Sequence, residues 1–228
     1  MSHYLVAVFH EEDQTVDEML APYDENLKVA PYVSFTRQEA IDYARKHYNT
    51  DGKTDEECWQ MMADDRETDN DGNIYSTYNP KSKWDWYTEG GRWGDMLLCN
   101  GQPVCSGRVG DLTFPFDEDT YKESLRFWDV VVDHKPAEPG EDFHSLYNEM
   151  YYLEYYGNRE NYARQTASFT TYAVLTPDGV WHAPGEMGWF GCSSENANEY
   201  REWCARYKER FIDAADPDWM LTVVDCHI

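Results

Sequence analysis

The chain opens on HYLVAVF (residues 3–9) and closes on WMLTVVDCHI (residues 219–228), and both stretches read as strands. Each is a run of β-branched, aromatic and other apolar residues, the composition that fits a pleated, half-buried surface. This reading makes the two terminal strands neighbours near the middle of one sheet. Everything between them then has to cover or extend that sheet.

Three helix starts follow the first strand. TVDE (15–18), TRQE (36–39) and TDEE (54–57) all carry the capping box, in which Thr and Glu side chains satisfy orphan amides at a helix start. Pro22 keeps the first helix short, and the second places Ala40, Tyr43, Ala44 and His47 on one face. The middle of the chain turns β-like. MLLC and PVCSGRV flank Asn100-Gly101, an Asn-Gly turn signal, and FWDVVVDH (127–134) reads as a further, buried strand. After Pro136, Pro139 and Gly140, the residues Leu146, Tyr147, Met150, Tyr151 and Leu153 support a helix ending near Gly157. TTYAVLTPDGVWHAP (170–184) reads as strand, turn and returning strand. In the segment 195–215, Tyr200, Trp203, Cys204, Tyr207 and Phe211 form one amphipathic stripe. The expected fold is α+β, with a largely antiparallel sheet, adjacent terminal strands and amphipathic helices packed on it. A single domain over 1–228 is expected, with an acidic helical insertion at about 36–75.

Charge is the strongest global signal. The 44 Asp and Glu against 19 Lys and Arg give a formal net charge of −25, and residues 11–80 alone hold 18 acidic and 6 basic residues. Such a field repels nucleic acid and anionic membranes and speeds encounter with a basic partner. Two readings stand side by side: acidity that keeps a Trp- and Tyr-rich protein in solution, or an acidic face that occupies a basic groove on another protein. No apolar run reaches the roughly 20 residues that a bilayer requires, and the acidic start does not resemble a signal peptide. A cytoplasmic protein is expected. The six cysteines are scattered without a CxxC pair, so free thiols are the default.

Several constellations can carry chemistry. NPKSKWDWYTEGGRWGDML (79–97) holds Trp84, Asp85, Trp86, Tyr87, Arg92 and Trp93. In a strand, Trp84 and Trp86 share one face and Asp85 and Tyr87 the other. Gly90-Gly91 permits a bend, and Arg92 can fork onto a carboxylate such as Asp85. That pattern suits a braced turn, and it equally suits an anion pocket with an aromatic wall. WHAPGEMGWFGCSSE (181–195) offers His182, Glu186 and Trp189 on a Gly-punctuated loop. In the final DCHI, Cys226 and His227 point to opposite faces and cannot act as one pair. Arg92, Glu186 and His227 are the catalytic candidates, should a pocket join them. Glu67, Asp69 and Asp71 are spaced like calcium ligands, but Tyr78 stands where a bidentate Glu is needed, and Asp-Gly turn chemistry explains the same residues. No nucleotide-binding or hydrolase motif occurs, and nothing implies a cofactor.

MSHY, LAPYDEN, NPKSKWDWYTEGGRW, GEMGWFG and VVDCHI, taken together, resemble a family of uncharacterised proteins associated with bacteriophages and prophage-bearing bacteria. The resemblance touches both ends and the middle of the chain, with 50–75 and 111–165 less matched. It implies a phage-type setting and transfers no catalytic residues. The function expected from setting and charge is an acidic binding protein that inhibits a host nucleic-acid-handling or defence enzyme by covering a basic surface. The competing expectation is a small-molecule binder or enzyme with a pocket between the Trp84–Trp93 and Trp181–Trp189 loops.

Overall fold

In the computed structural model, which describes residues 2–114, 116–188 and 191–228, β1 (His3–His10) and β11 (Met220–His227) pair antiparallel along their whole length. His3 stands opposite His227 and His10 opposite Met220. All but the first residue of each strand is buried. Both faces of the pair are therefore covered, which is why the two sequences read as near-continuous apolar runs.

The other strands extend this pair. On the far side of β1, β9 (Ala173–Leu175) runs parallel, and β10 (Trp181–His182) returns antiparallel to β9 through a turn closed by Gly179 N–H donating to the Thr176 carbonyl at 2.8 Å. The open edge of β11 is shared by two segments: β4 (Trp86–Glu89) pairs with Val224–His227 and β7 (Ser106–Arg108) with Met220–Thr222. At the junction, Val223 donates to the Cys105 carbonyl and accepts from Gly90 N–H, both at 2.8 Å, so this edge has no unpaired group at Val223. A smaller sheet holds β5 (Leu97–Cys99), β6 (Gln102–Val104) and β8 (Leu112–Thr113). Its hairpin turns at Asn100 and Gly101, whose φ values of 50° and 75° are the left-handed pair that Asn-Gly supplies.

Helices cover the sheet where the sequence pattern requires. α7 (Ala197–Tyr207) begins at an Asn196–Glu199 capping box and continues into a wider turn, Lys208–Ile212. Its Trp203 and Tyr207, with Phe211 from that turn, pack on Leu5, Ala7, Phe9, Val174, Leu221 and Val223. α1 (Val16–Leu20) packs on β1 and buries Val16, Met19 and Leu20. The fold is α+β, with antiparallel sheets packed against helices.

One expected strand is a helix. FWDVVVDH lies at the end of α4 (Glu118–Val131), which buries Ser124 and Trp128, with Val132 just beyond its end. Helical spacing brings Trp128 and Val132 to one side, where they meet Tyr152 of α5 (Glu149–Tyr156) and partly buried Tyr162 of α6 (Arg159–Ala167). The β-branched Val130–Val132 run suggested a strand, and the Asp117 cap and this aromatic packing override that preference.

Residues up to Pro22 together with Lys83–Ile228 make one compact unit, and Tyr23–Ser82 makes another. The second unit is wider at both ends than the insertion read from the sequence. It pairs β2 (Tyr32–Phe35) with β3 (Ile74–Ser76) and adds α2 (Arg37–His47) and α3 (Asp55–Ala63). The three Thr–Glu capping boxes, at Thr15, Thr36 and Thr54, are all formed. The buried face of α2 is Ala40, Ile41 and Ala44, packed with Cys58, Met62 and Ile74. Tyr43 and His47, expected on that face, stack on each other at 4.3 Å instead, with Tyr43 exposed.

Candidate functional site

The 79–97 corner is built where β4 meets the last residues of β11. Trp84 is buried and donates from Nε1 to the Leu20 carbonyl at 3.1 Å. A bend at Asp85 interrupts the strand just before β4, so Trp84 and Trp86 do not share a face as expected. The Trp84 ring meets Tyr87 edge-on at 5.0 Å, and Tyr87 donates its hydroxyl to Asp17. Trp86 is half exposed and stacks on His227, with centroids 4.9 Å apart and planes 15° from parallel.

Two histidine–carboxylate pairs lie side by side here. His227 Nδ1 and Asp85 Oδ1 are 2.6 Å apart, and His3 Nδ1 and Asp225 Oδ1 are 2.8 Å apart. The His3 ring stands edge-on to both His227 and Trp86 at 5.2 Å. Arg92, expected against Asp85, is on Asp225: its backbone N–H donates to Oδ2 at 3.3 Å, and its Nε lies 3.8 Å from the same oxygen. Asp85 is engaged by His227, and the register of β4 on β11 sets Asp225 beside Arg92 instead. Gly91 makes that approach possible. A Cβ there would fall 2.5 Å from the Asp225 Cβ, and its φ of +50° also favours glycine. His227 Nε2 is buried and has no hydrogen-bond partner among the described residues, so this imidazole has one nitrogen oriented by a carboxylate and one held away from water.

The remaining sequence-predicted residues occupy other places. Glu186 is exposed and pairs with Lys83 at 2.8 Å. Arg92, His227 and Glu186 thus each have a separate partner. Trp93 is half buried against the main core. His182 sits on β10, in contact with Thr176, Arg210 and Phe211. Trp189 lies outside the described residues. Asp69 accepts from Asp71 N–H, from the backbone and side-chain amides of Asn73 and from the Tyr75 hydroxyl, at 2.9 to 3.3 Å. Those bonds, the Asn73 side chain foremost, hold its carboxyl below the ordinary aspartate value. Asp69 therefore fixes a turn at Gly72. Among the described residues no group of three or more His, Cys, Asp or Glu side chains is placed to hold a metal ion, and no helix is long and apolar enough to cross a membrane.

Sequence reasoning missed His3 and Asp225. The available signal was the i, i+2 spacing of Asp225 and His227, which puts both on one face of β11. It also misjudged the residues before and along α5. The helix begins at the Asn148 cap, and Leu146 ahead of it is 98% exposed. Tyr147, Met150 and Leu153 are exposed as well. Tyr147, just ahead of the cap, and Tyr151 and Tyr155 of α5 stack in series at 4.0 and 4.5 Å with i, i+4 spacing. Leu146, Tyr147, Met150 and Leu153 thus make an exposed apolar ridge, with Tyr147 alone of the four joined to the tyrosine stack.

Its surroundings are acidic. Residues 117–160 hold twelve Asp and Glu against four Lys and Arg. All four cations are engaged within the segment: Lys122 with Asp119, Arg126 with Glu141, Lys135 with Asp129, and Arg159 with Asp129. Comparison of the chain with protein-family models, with curated proteins and with solved structures gives no match.

Proposed function

We propose that this protein is a binding protein that docks on a basic surface of another protein, with the Leu146–Leu153 ridge as its apolar anchor. The observation that carries the reading is the combination at that ridge. Four large apolar side chains are exposed together, and they sit in a segment whose carboxylates outnumber its cations threefold. Large apolar side chains left exposed this close together along the chain are read as an interaction site rather than ordinary surface. Apolar and aromatic anchors supply affinity, and the surrounding charge supplies orientation and encounter rate. The partner class that fits is a protein whose basic face is made for nucleic acid. In the phage-type setting implied by the sequence motifs, that partner is a host nucleic-acid-handling or defence enzyme, inhibited because its substrate groove is covered.

The test is a pull-down from bacterial lysate at low and high salt. Wild type is compared with a triple variant, Leu146→Ser, Met150→Ser and Leu153→Ser, and added duplex DNA serves as competitor. The expected result is a partner retained at low salt, displaced by DNA and lost in the triple variant. Retention of nothing at either salt, or equal retention by the variant, overturns the proposal. The substituted side chains are exposed, so the fold is expected to survive the change.

A further inference from the structure

A second feature lies where the end of β1, the β9–β10 turn, the Lys208–Ile212 turn and the start of β11 meet. A cavity of about 530 Å³ opens there, with Phe9, Phe211 and Trp219 among its apolar lining and Glu11, Asp178, His182 and Arg210 among its polar lining. The volume is in the range of small-molecule sites, which combine apolar walls with a few convergent polar groups.

The polar lining is ordered by a defined chain of hydrogen bonds. Arg210 can only donate, so its contact with His182 Nδ1 at 3.1 Å fixes that nitrogen as the acceptor. The ring proton then lies on Nε2 and points to Thr176 Oγ1 at 3.3 Å, and Thr176 donates to Asp178 at 2.6 Å. Burial, and after it the neighbouring guanidinium, lower the His182 pKa below the ordinary histidine value, which agrees with a neutral ring. The Arg210 guanidinium also lies over the Phe211 ring, 4.8 Å from its centroid. It is thus held from two directions and keeps further N–H donors.

Arg210 and Glu11 are opposite charges lining one cavity, and among the described residues neither makes an ion pair, while the other carboxylate there, Asp178, accepts from Thr176. In a chain of net charge −25, a simple anion would enter against the field of the whole molecule. A ligand carrying both signs avoids that cost and satisfies both groups. We infer that this cavity binds a free α-amino acid with an aromatic or other large apolar side chain. The carboxylate meets Arg210, the ammonium meets Glu11, and the side chain packs among Phe9, Phe211 and Trp219. A guanidinium–carboxylate contact is the strong, directional element of such recognition. The site is distinct from the α5 ridge and does not depend on the binding function proposed for it.

Isothermal titration calorimetry with L-phenylalanine tests the inference, using 3-phenylpropionate and 2-phenylethylamine as analogues that each keep one charge. Saturable binding of L-phenylalanine is expected, weakened about tenfold or more in Arg210→Met and in Glu11→Gln, as loss of a charged hydrogen bond implies. Both analogues should bind at least that much more weakly. Arg210 and Glu11 are exposed, and unchanged melting curves would establish that the variants are folded. The inference is overturned by absence of saturable binding, by unchanged affinity in the two variants, or by 3-phenylpropionate binding as tightly as the amino acid.

Discussion

In the main sheet the decisive contacts join residues from opposite ends of the chain, whereas in Tyr23–Ser82 one longer pairing, β2 with β3, is accompanied by contacts between near neighbours. The His3–Asp225 pair spans 222 positions, and the β1–β11 register sets every residue of one terminal strand against one of the other. In Tyr23–Ser82 each helix starts from a capping box closed within four residues, Trp59 bonds the Gly72 carbonyl thirteen positions away, and Asp69 organises its own turn. The cores differ to match. The sheet packs Tyr207, Phe9, Leu221 and Val223 almost without exposure, while the smaller unit rests on Ala40, Ile41, Ala44, Cys58, Met62 and Ile74. Long-range pairing makes the sheet depend on packing that forms all at once. The smaller unit depends on several separable local devices.

Each region contains a fully buried thiol, Cys226 in the sheet and Cys58 in Tyr23–Ser82, which lets the contrast be broken experimentally. Burial pushes the Cys226 thiol up, so it reacts only when its surroundings open. Leu221→Ala leaves a cavity in the sheet core and should cost about 3 kcal/mol. Thiol labelling under native conditions should then show Cys226 reacting roughly a hundredfold faster, with Cys58 unchanged, since 1.4 kcal/mol is a factor of ten. Equal acceleration of both thiols would mean that the sheet and the smaller unit open together.

The same contrast explains what was legible in the sequence. Capping boxes, the Asn-Gly turn and the TPDG turn are local chemistry, and the structure contains all of them. The terminal strands were visible because burial on both faces leaves an uninterrupted apolar run. α4 was not, because Val130–Val132 favour a strand locally and the packing on Tyr152 and Tyr162 that joins the Asp117 cap in favouring the helix is a tertiary contact. The corner was legible in composition but not in pairing. Nothing local tells Arg92 to choose Asp225 over Asp85, since that choice follows from the register of β4 on β11. The α5 ridge shows a related limit: apolar spacing at Leu146, Met150 and Leu153 suggests a face, but whether another element covers it is a tertiary fact.

A smaller effect is expected from Thr54→Ala, which removes the side chain that caps α3 and accepts from Glu57 N–H. Loss of such a cap costs about 1 kcal/mol. Cys58 lies in the first turns of that helix, so its labelling should accelerate several-fold while Cys226 keeps its wild-type rate. If Cys58 labelling is unmoved, α3 is held by packing alone and the capping box adds nothing to the stability of the smaller unit.

The finest distinction concerns how each region holds a carboxylate. Asp129 is kept below the ordinary aspartate value chiefly by Arg159, with Lys135 contributing, whereas Asp69 is kept below it by the neutral donors of Asn73. In both cases the native pKa lies under the unfolded value of about 3.9. Each group therefore contributes stability that is present above that pH and is lost as the pH falls through the lower native value. The two should differ in their response to salt, which screens a charged partner and leaves a neutral donor as it was. Carbon-13 titration of the side-chain carboxyls at low and high salt should show the Asp129 pKa rising toward its ordinary value. Asp69 should show no such rise, because screening of nearby Glu67 and Asp71 can only favour its ionised form. In Arg159→Gln most of the depression at Asp129 should vanish and its salt response with it. A salt response at Asp69 equal to that of Asp129 would show that ion pairing, rather than turn geometry, fixes the Asp69 loop.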